Sequence, residues 1–307
     1  MAANILILVD SSASMGRWIG GDGLGAAWGV TTDSQDRILI GQNARRTIGA
    51  VVRYTTAGAR DGSFRPIRTV PGAGCSVHLD ATRANLDGRM RKAANVRFVE
   101  NLEINGVQEN VIFMAARDRL WSYVLGFSED GRRCLFAASA PNRHVVGDFD
   151  IQTVNNVPYL IMAGHRFGRR AFSYFKSCNL QTMQCAPHQP FTGNHVTRHL
   201  QRLSVANDLS RVYFTNALTG NLEGYSLTPS GGAYNLGSQV LNCAASINPT
   251  LSSDLAYTTG VRLDPSDNNI IYTTSRFSHA VQKIQISGST CSVTVSYTHL
   301  RAHETSR

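Results

Sequence analysis

The stretch GVRLDPSDNNIIYTTS (260–275) decides how this chain is read. Branched and aromatic residues stand on both sides of the polar break Asp264-Pro265-Ser266-Asp267. Val, Ile, Tyr and Thr suit a pleated, half-buried surface, whereas Asp, Pro, Ser and Asn reverse the chain by bonding to local backbone or presetting φ. The reading is therefore strand, acidic turn, strand. The same order recurs in WGVTTDSQDRILIGQ (28–42) and LSVANDLSRVYFTNA (203–217).

Working outward, the strand after the turn has six representatives: NILILVD (4–10), RILIGQ (37–42), NVIFMAA (110–116), PYLIMAG (158–164), RVYFTNA (211–217) and NIIYTTS (269–275). Each is followed by a polar loop and a second strand-like stretch: MGRWIG, AVVRYTTAG, LWSYVLGFS, AFSYFKS, LEGYSLTPS or AVQKIQISG. Turn signals such as AGARDG, SEDG and TPSGG close several of the hairpins that come next. One unit thus reads strand, Asp turn, strand, loop, strand, Gly turn, strand. Apart from one long gap, the anchors at 4, 37, 110, 158, 211 and 269 recur every 33 to 58 residues. That interval brackets the ~40–50 residues of a four-stranded propeller blade, and radial repetition of such sheets leaves few open edges. The fold expected is all-β: a β-propeller over residues 1–294, with six blades of four antiparallel strands. A β-sandwich or two smaller all-β domains is the competing architecture. The long gap holds an insertion at about 70–98, where DATRANLDGRMRKAANVRF (80–98) is the one stretch of helix-friendly composition. Because the chain opens on a second strand, ring closure is expected to be defective.

The blade cores carry a resemblance. GVTTDSQDRILIGQN (29–43) and GVRLDPSDNNIIYTTS resemble the repeat of NHL/TolB-like six-bladed propellers, broadly G-V-x-x-D followed by an apolar strand. RLSVANDLSRVYFTN (202–216) is similar to the matching segment of lactonase-like propellers, and AVVRYTTAGARDGSF (50–64) to the third strand and turn of bacterial propeller repeats. These motifs specify a blade and not a chemistry. The last residues differ in kind: SYTHLRAHET (296–305) resembles a translated sequencing-library adapter. On that reading 295–307 is an artefactual tail, the natural chain is truncated there, and the sequence was assembled from environmental or transcriptomic reads.

The 307 residues are 42% hydrophobic and 17% charged, enough for a sizeable core and too apolar for intrinsic disorder. No apolar run approaches the ~18 residues of a membrane-spanning helix. Net charge is +9, almost all from arginine, with lysine only at Lys92, Lys176 and Lys283. Such a surplus fits a GC-rich coding sequence or an anionic partner; no dense basic run marks a nucleic-acid tail. Six cysteines form no C-x-x-C pair, which argues against a zinc knuckle. Cys178 and Cys185 flank a hairpin turn and are placed to bridge across it. A bridge would favour an extracellular or periplasmic location.

The strongest candidate site is a set of loops. Those between second and third strands carry nine arginines, including Arg45, Arg117, Arg166, Arg170 and Arg276, together with His165 and His279. Only Asp10, Asp118 and Glu223 oppose them, a surplus of six positive charges. Blade loops on one face of a rigid scaffold carry function, and the planar fork of arginine suits carboxylate, sulfate or phosphate. The function expected is therefore a non-enzymatic binding or scaffold module, monomeric and without cofactor, taking an anionic ligand or protein partner. The alternative is a propeller hydrolase of lactonase or gluconolactonase type with an axial divalent cation such as calcium. That resemblance brings Asn207 and Asp208 forward as ligands. Asp10, Ser12 and Ser14 match D-x-S-x-S, which resembles the metal-dependent adhesion site of von Willebrand A-type domains. The Gly-rich sequence that follows lacks the long helix that family needs. No G-x-S-x-G, H-E-x-x-H or P-loop pattern is present.

Overall fold

The computed structural model describes residues 26–43, 51–64, 77–78, 92–104, 106–117, 122–141, 144–166, 172–190, 200–216, 221–243, 258–275 and 280–297. The chain divides into two compact units, Met1–Val146 with Leu180–Met183, and Gly147–Asn179 with Gln184–Arg307. In the first, β1 (Ala26–Thr32), β2 (Ile38–Asn43) and β3 (Val51–Tyr54) form an antiparallel sheet. A second sheet is built from β5 (Lys92–Ile104), β6 (Val107–Arg117), β7 (Ser122–Ser128) and β8 (Cys134–Ser139), with β4 (Val77–His78) parallel to β8 at its edge. The second unit holds three antiparallel meanders. These are β9 (His144–Val154) to β12 (Gln184–Cys185), with β10 (Val157–Arg166) and β11 (Phe172–Asn179); β13 (Leu200–Val205) to β16 (Ala233–Cys243), with β14 (Arg211–Asn216) and β15 (Leu222–Ser230); and β17 (Thr258–Asp264) to β20 (Thr290–Tyr297), with β18 (Asp267–Ser275) and β19 (Ala280–Ser287).

The sheets are propeller blades, five among the described residues rather than the six expected. The sixth anchor, 4–10, lies outside the described residues. The other five anchors are the second strands β2, β6, β10, β14 and β18. A second correction concerns 80–98: residues 92–98 are not helical but open β5, the first strand of its blade. Ala and Arg gave that stretch its helical composition. Pairing of β5 along β6 and burial of Val96, Leu102 and Ile104 decide its conformation.

Blade-to-blade stacking builds the core. In the first unit Leu39, Val51 and Phe64 pack with Val96, Ile112, Met114 and Leu125 of the next blade. In the second unit Val212 and Phe214 face Ile161, Ala163 and Phe175, while Tyr213 between them faces Val261, Leu263 and Ile271. Second strands are therefore buried on both faces, which is why they read as continuous apolar runs and not as alternation. Tight turns follow the chemistry of their residues. Asn155 and Asn156 both adopt positive φ in the β9–β10 hairpin, as do Gly231 and Gly232 in β15–β16, the backbone a two-residue hairpin loop prefers.

Gly29, the glycine of the first G-V-x-x-D, has a spatial reason. A Cβ there would lie 2.9 Å from both Asn95 Cα and Val96 N and 2.8 Å from Asn95 Oδ1. Two of the three atoms are backbone, so β1 would have to move off β5. Gly29→Ala is expected to cost roughly 1–3 kcal/mol by overpacking. Gly62→Ala, where a Cβ meets nothing within 4 Å, serves as the neutral control in the same urea titration.

Candidate functional site

The inner strands of the second unit carry a charged network that begins with Asp148 and Asp150. Two residues apart on β9, these carboxylates point to one face, and each residue is 1% exposed. Asp148 Oδ2 accepts the backbone N–H of Leu203 at 3.0 Å, and Asp150 Oδ2 that of Val205 at 3.2 Å. Gln152 Nε2 completes the row by donating to Val205 O at 3.2 Å. β13 ends its sheet, so these backbone groups have no neighbouring strand on that side and would otherwise be buried without partners. Ser204 Oγ treats β17 in the same way, accepting Leu263 N at 3.0 Å. Two guanidinium groups balance the carboxylates: Arg262 Nη1 lies 2.9 Å from Asp150 Oδ1, and Arg202 Nη1 lies 3.7 Å from Asp148 Oδ1. The charge of Asp150 beside Arg262 raises the already high pKa of that guanidinium against the opposing effect of burial. The carboxylates are committed to backbone and arginine, and the side chain that reaches solvent is Arg262, 51% exposed.

Sequence reasoning missed this network, although GDFDIQ (147–152) held the signal: acids alternating with apolar residues inside a strand pattern. Glu223, counted among the loop acids, is buried near the start of β15, where Oε2 accepts the Tyr225 hydroxyl at 3.1 Å. Burial, with the charge of Glu223, pushes the Tyr225 pKa up.

Of the loop arginines, Arg117 is the last residue of β6, Arg166 the last of β10, and His165 precedes it. Arg45, Arg170 and Arg276 lie outside the described residues, as do Asp10, Ser12 and Ser14. In sequence, Arg45 falls between β2 and β3, Arg170 between β10 and β11, and Arg276 between β18 and β19. Asn207 and Asp208 occupy the β13–β14 turn. The Asn207 backbone N–H donates to Asn268 Oδ1, and its Nδ2 donates to Pro265 O; Asp208 Oδ1 accepts Ser210 N and Oγ. Among the described residues no three His, Cys, Asp or Glu side chains group closely enough to hold a metal ion.

The Asp-x-Ser turn of Asp208 recurs. Asp61 takes the hydroxyl and N–H of Ser63, and Asp264 those of Ser266. The Ser63 hydroxyl, aided by Arg53, holds Asp61 at about 2, and Ser266 lowers Asp264. Ser128 lowers Asp130; at Asp208 partial burial opposes the shift but the Ser210 hydrogen bonds prevail. Carboxylates depressed on folding stabilise the protein above their unfolded pKa of about 4 and lose that contribution as pH falls through the folded values. The thermal midpoint is therefore expected to hold from neutral pH to about 5 and to fall between about 4 and 2. Asp61→Asn flattens that acid limb; an unchanged limb would remove Asp61 from the account.

No family model matches the chain, and comparison with curated proteins gives no match. Solved structures do match. The β-propeller domain of Cps50 (Swd1) from Myceliophteria thermophila superposes with TM-score 0.50 at 9% identity, covering 90% of this chain and 87% of that one. A candidate 6-phosphogluconolactonase from Bacteroides uniformis gives 0.53 at 11% identity, covering 91% and 74%. A second, from Bacteroides fragilis, gives 0.51 at 10% identity, covering 91% and 73%. At these identities the likeness establishes the class, a β-propeller, and nothing finer.

Proposed function

We propose that this propeller is a binding module that takes an anionic ligand or an acidic partner surface on its second-to-third-strand loops, through Arg45, Arg117, Arg166, Arg170 and Arg276 with His165. The supporting observation is topological. The described second strands end where these loops begin, and two of them, β6 and β10, end on arginine itself. A loop that leaves the end of a blade's second strand presents its side chains from a rigid sheet, which lowers the ordering cost of binding. Disulfide bonding among the described residues suits an oxidising compartment: Cys178 is joined to Cys185, Cys243 to Cys291, and Cys134 is also bridged. That chemistry supports an extracellular or periplasmic setting.

The test is calorimetric titration of dextran sulfate into wild type and an Arg117→Ala, Arg166→Ala double variant. The double variant is expected to bind about tenfold or more weakly, a loss of about 1.4 kcal/mol or more. Binding by the wild type should weaken with added salt, because exposed charges are screened over about 8 Å at physiological ionic strength. Equal affinities, or no salt dependence, would reduce these arginines to solubilising surface. Lactone hydrolysis abolished by a chelator would instead favour a propeller hydrolase with an axial divalent cation.

A further inference from the structure

We propose a second, separate anion site on the inner strands of the second unit, with Arg262 as the ligand-contacting residue and Asp150 as its positioning residue. Its ligand is a compact anion bearing a carboxylate or phosphate group. The inference does not depend on the loop arginines.

Three features carry it. First, the Arg262 side chain is half exposed, yet its guanidinium is anchored at 2.9 Å to a carboxylate that is itself almost wholly buried. Second, that carboxylate is fixed from several directions: Ile151 N and Val205 N donate to Asp150 Oδ1 and Oδ2 at 3.1 and 3.2 Å. An arginine held in this way has already lost much of the rotamer freedom that anion capture would otherwise cost. Third, the guanidinium has five N–H donors in a planar fork, and the bond to Asp150 engages Nη1. The remainder of the fork matches a carboxylate or phosphate edge. The neighbouring Arg202–Asp148 pair stands on the same face of β9, about 7 Å further along at ~3.4 Å per residue, and adds a second cation within reach of a dianion. Neither carboxylate is exposed enough to repel a ligand at contact distance: each residue is 1% exposed, with one oxygen on a β13 backbone N–H and the other facing an arginine.

The experiment uses the full chain with inorganic phosphate and succinate as probes, followed by titration calorimetry and by the Nε–H resonances of arginine. Wild type is expected to bind both with one salt-sensitive isotherm and to shift the Arg262 resonance. Arg262→Ala should weaken binding at least tenfold. It also leaves Asp150 without its cation, so Arg262→Lys is the companion variant: it keeps the charge and the ion pair but lacks the fork, and should lose most of the affinity while melting like wild type. Exposed Arg132→Ala should change nothing. The loop double variant Arg117→Ala, Arg166→Ala should retain phosphate binding in full, which separates this site from the loop reading. Undiminished binding by Arg262→Lys, or no binding by wild type, would overturn the proposal and leave the pair as inter-blade structure only.

Discussion

Replacing Cys243 and Cys291 together by alanine is expected to lower stability by about 4 kcal/mol, the chain-entropy value for a bridge closing a loop of 48 residues. Cys243 ends β16 and Cys291 lies on β20, so the bond joins the last strands of two consecutive blades. Both sulfurs belong to the apolar layer formed by Tyr213, Leu241, Val261 and Ile284. Cutting the bridge frees the final blade to part from its neighbour at the edge farthest along the meander. Cys178 and Cys185 span only 7 positions and are already register partners between β11 and β12. Their removal should cost less, about 2 kcal/mol on the same account. Urea titrations of the two double variants, with and without reductant, check the order. If the 178/185 variant is the weaker protein, the loop-entropy explanation fails. If reductant leaves wild type unchanged, the bridges contribute nothing to stability.

The other large effect falls on Arg53. This residue is 5% exposed and serves three acceptors at once. Nη2 pairs with Asp61 at 2.8 Å, Nη1 donates to Glu129 O at 3.0 Å, and Asp33 Oδ2 lies 3.6 Å away. Its guanidinium also stacks 4.5 Å from the centre of the Phe64 ring. The Asp33 side chain is wholly buried, and Arg37 is its other cation, at 2.7 Å. Arg53→Ala leaves that carboxylate short of a partner and opens a space beside Phe64, a loss of roughly 3–5 kcal/mol for a broken buried pair. Adding Asp33→Asn should recover part of the loss, because it removes the charge that Arg53 balanced. A cost below about 1 kcal/mol, or no recovery in the double variant, would mean that solvent reaches Asp33 and the network is peripheral.

The blade pattern was legible wherever burial leaves a local trace. A second strand packed on both faces must be apolar throughout, so RVYFTN and NVIFMAA announced β14 and β6 without any tertiary knowledge. First strands left a weaker trace. β13 and β17 ended in Asp turns and were visible; β5 and β9 did not, and their polar residues hid them. In β9 those polar residues are the site: Asp148 and Asp150 look unsuited to a strand until β13 supplies the N–H groups they satisfy.

The sequence by itself determined the all-β class, five second strands, the acidic turns and the placing of Cys178 opposite Cys185, because each depends on neighbours a few residues away. Only the tertiary structure decided that Cys243 meets Cys291, that Gly29 must clear Asn95, and that Asp150 holds Arg262 from 112 positions away. Those pairings arise when blades stack, and side chains brought together by stacking share no spacing along the chain from which they could be read.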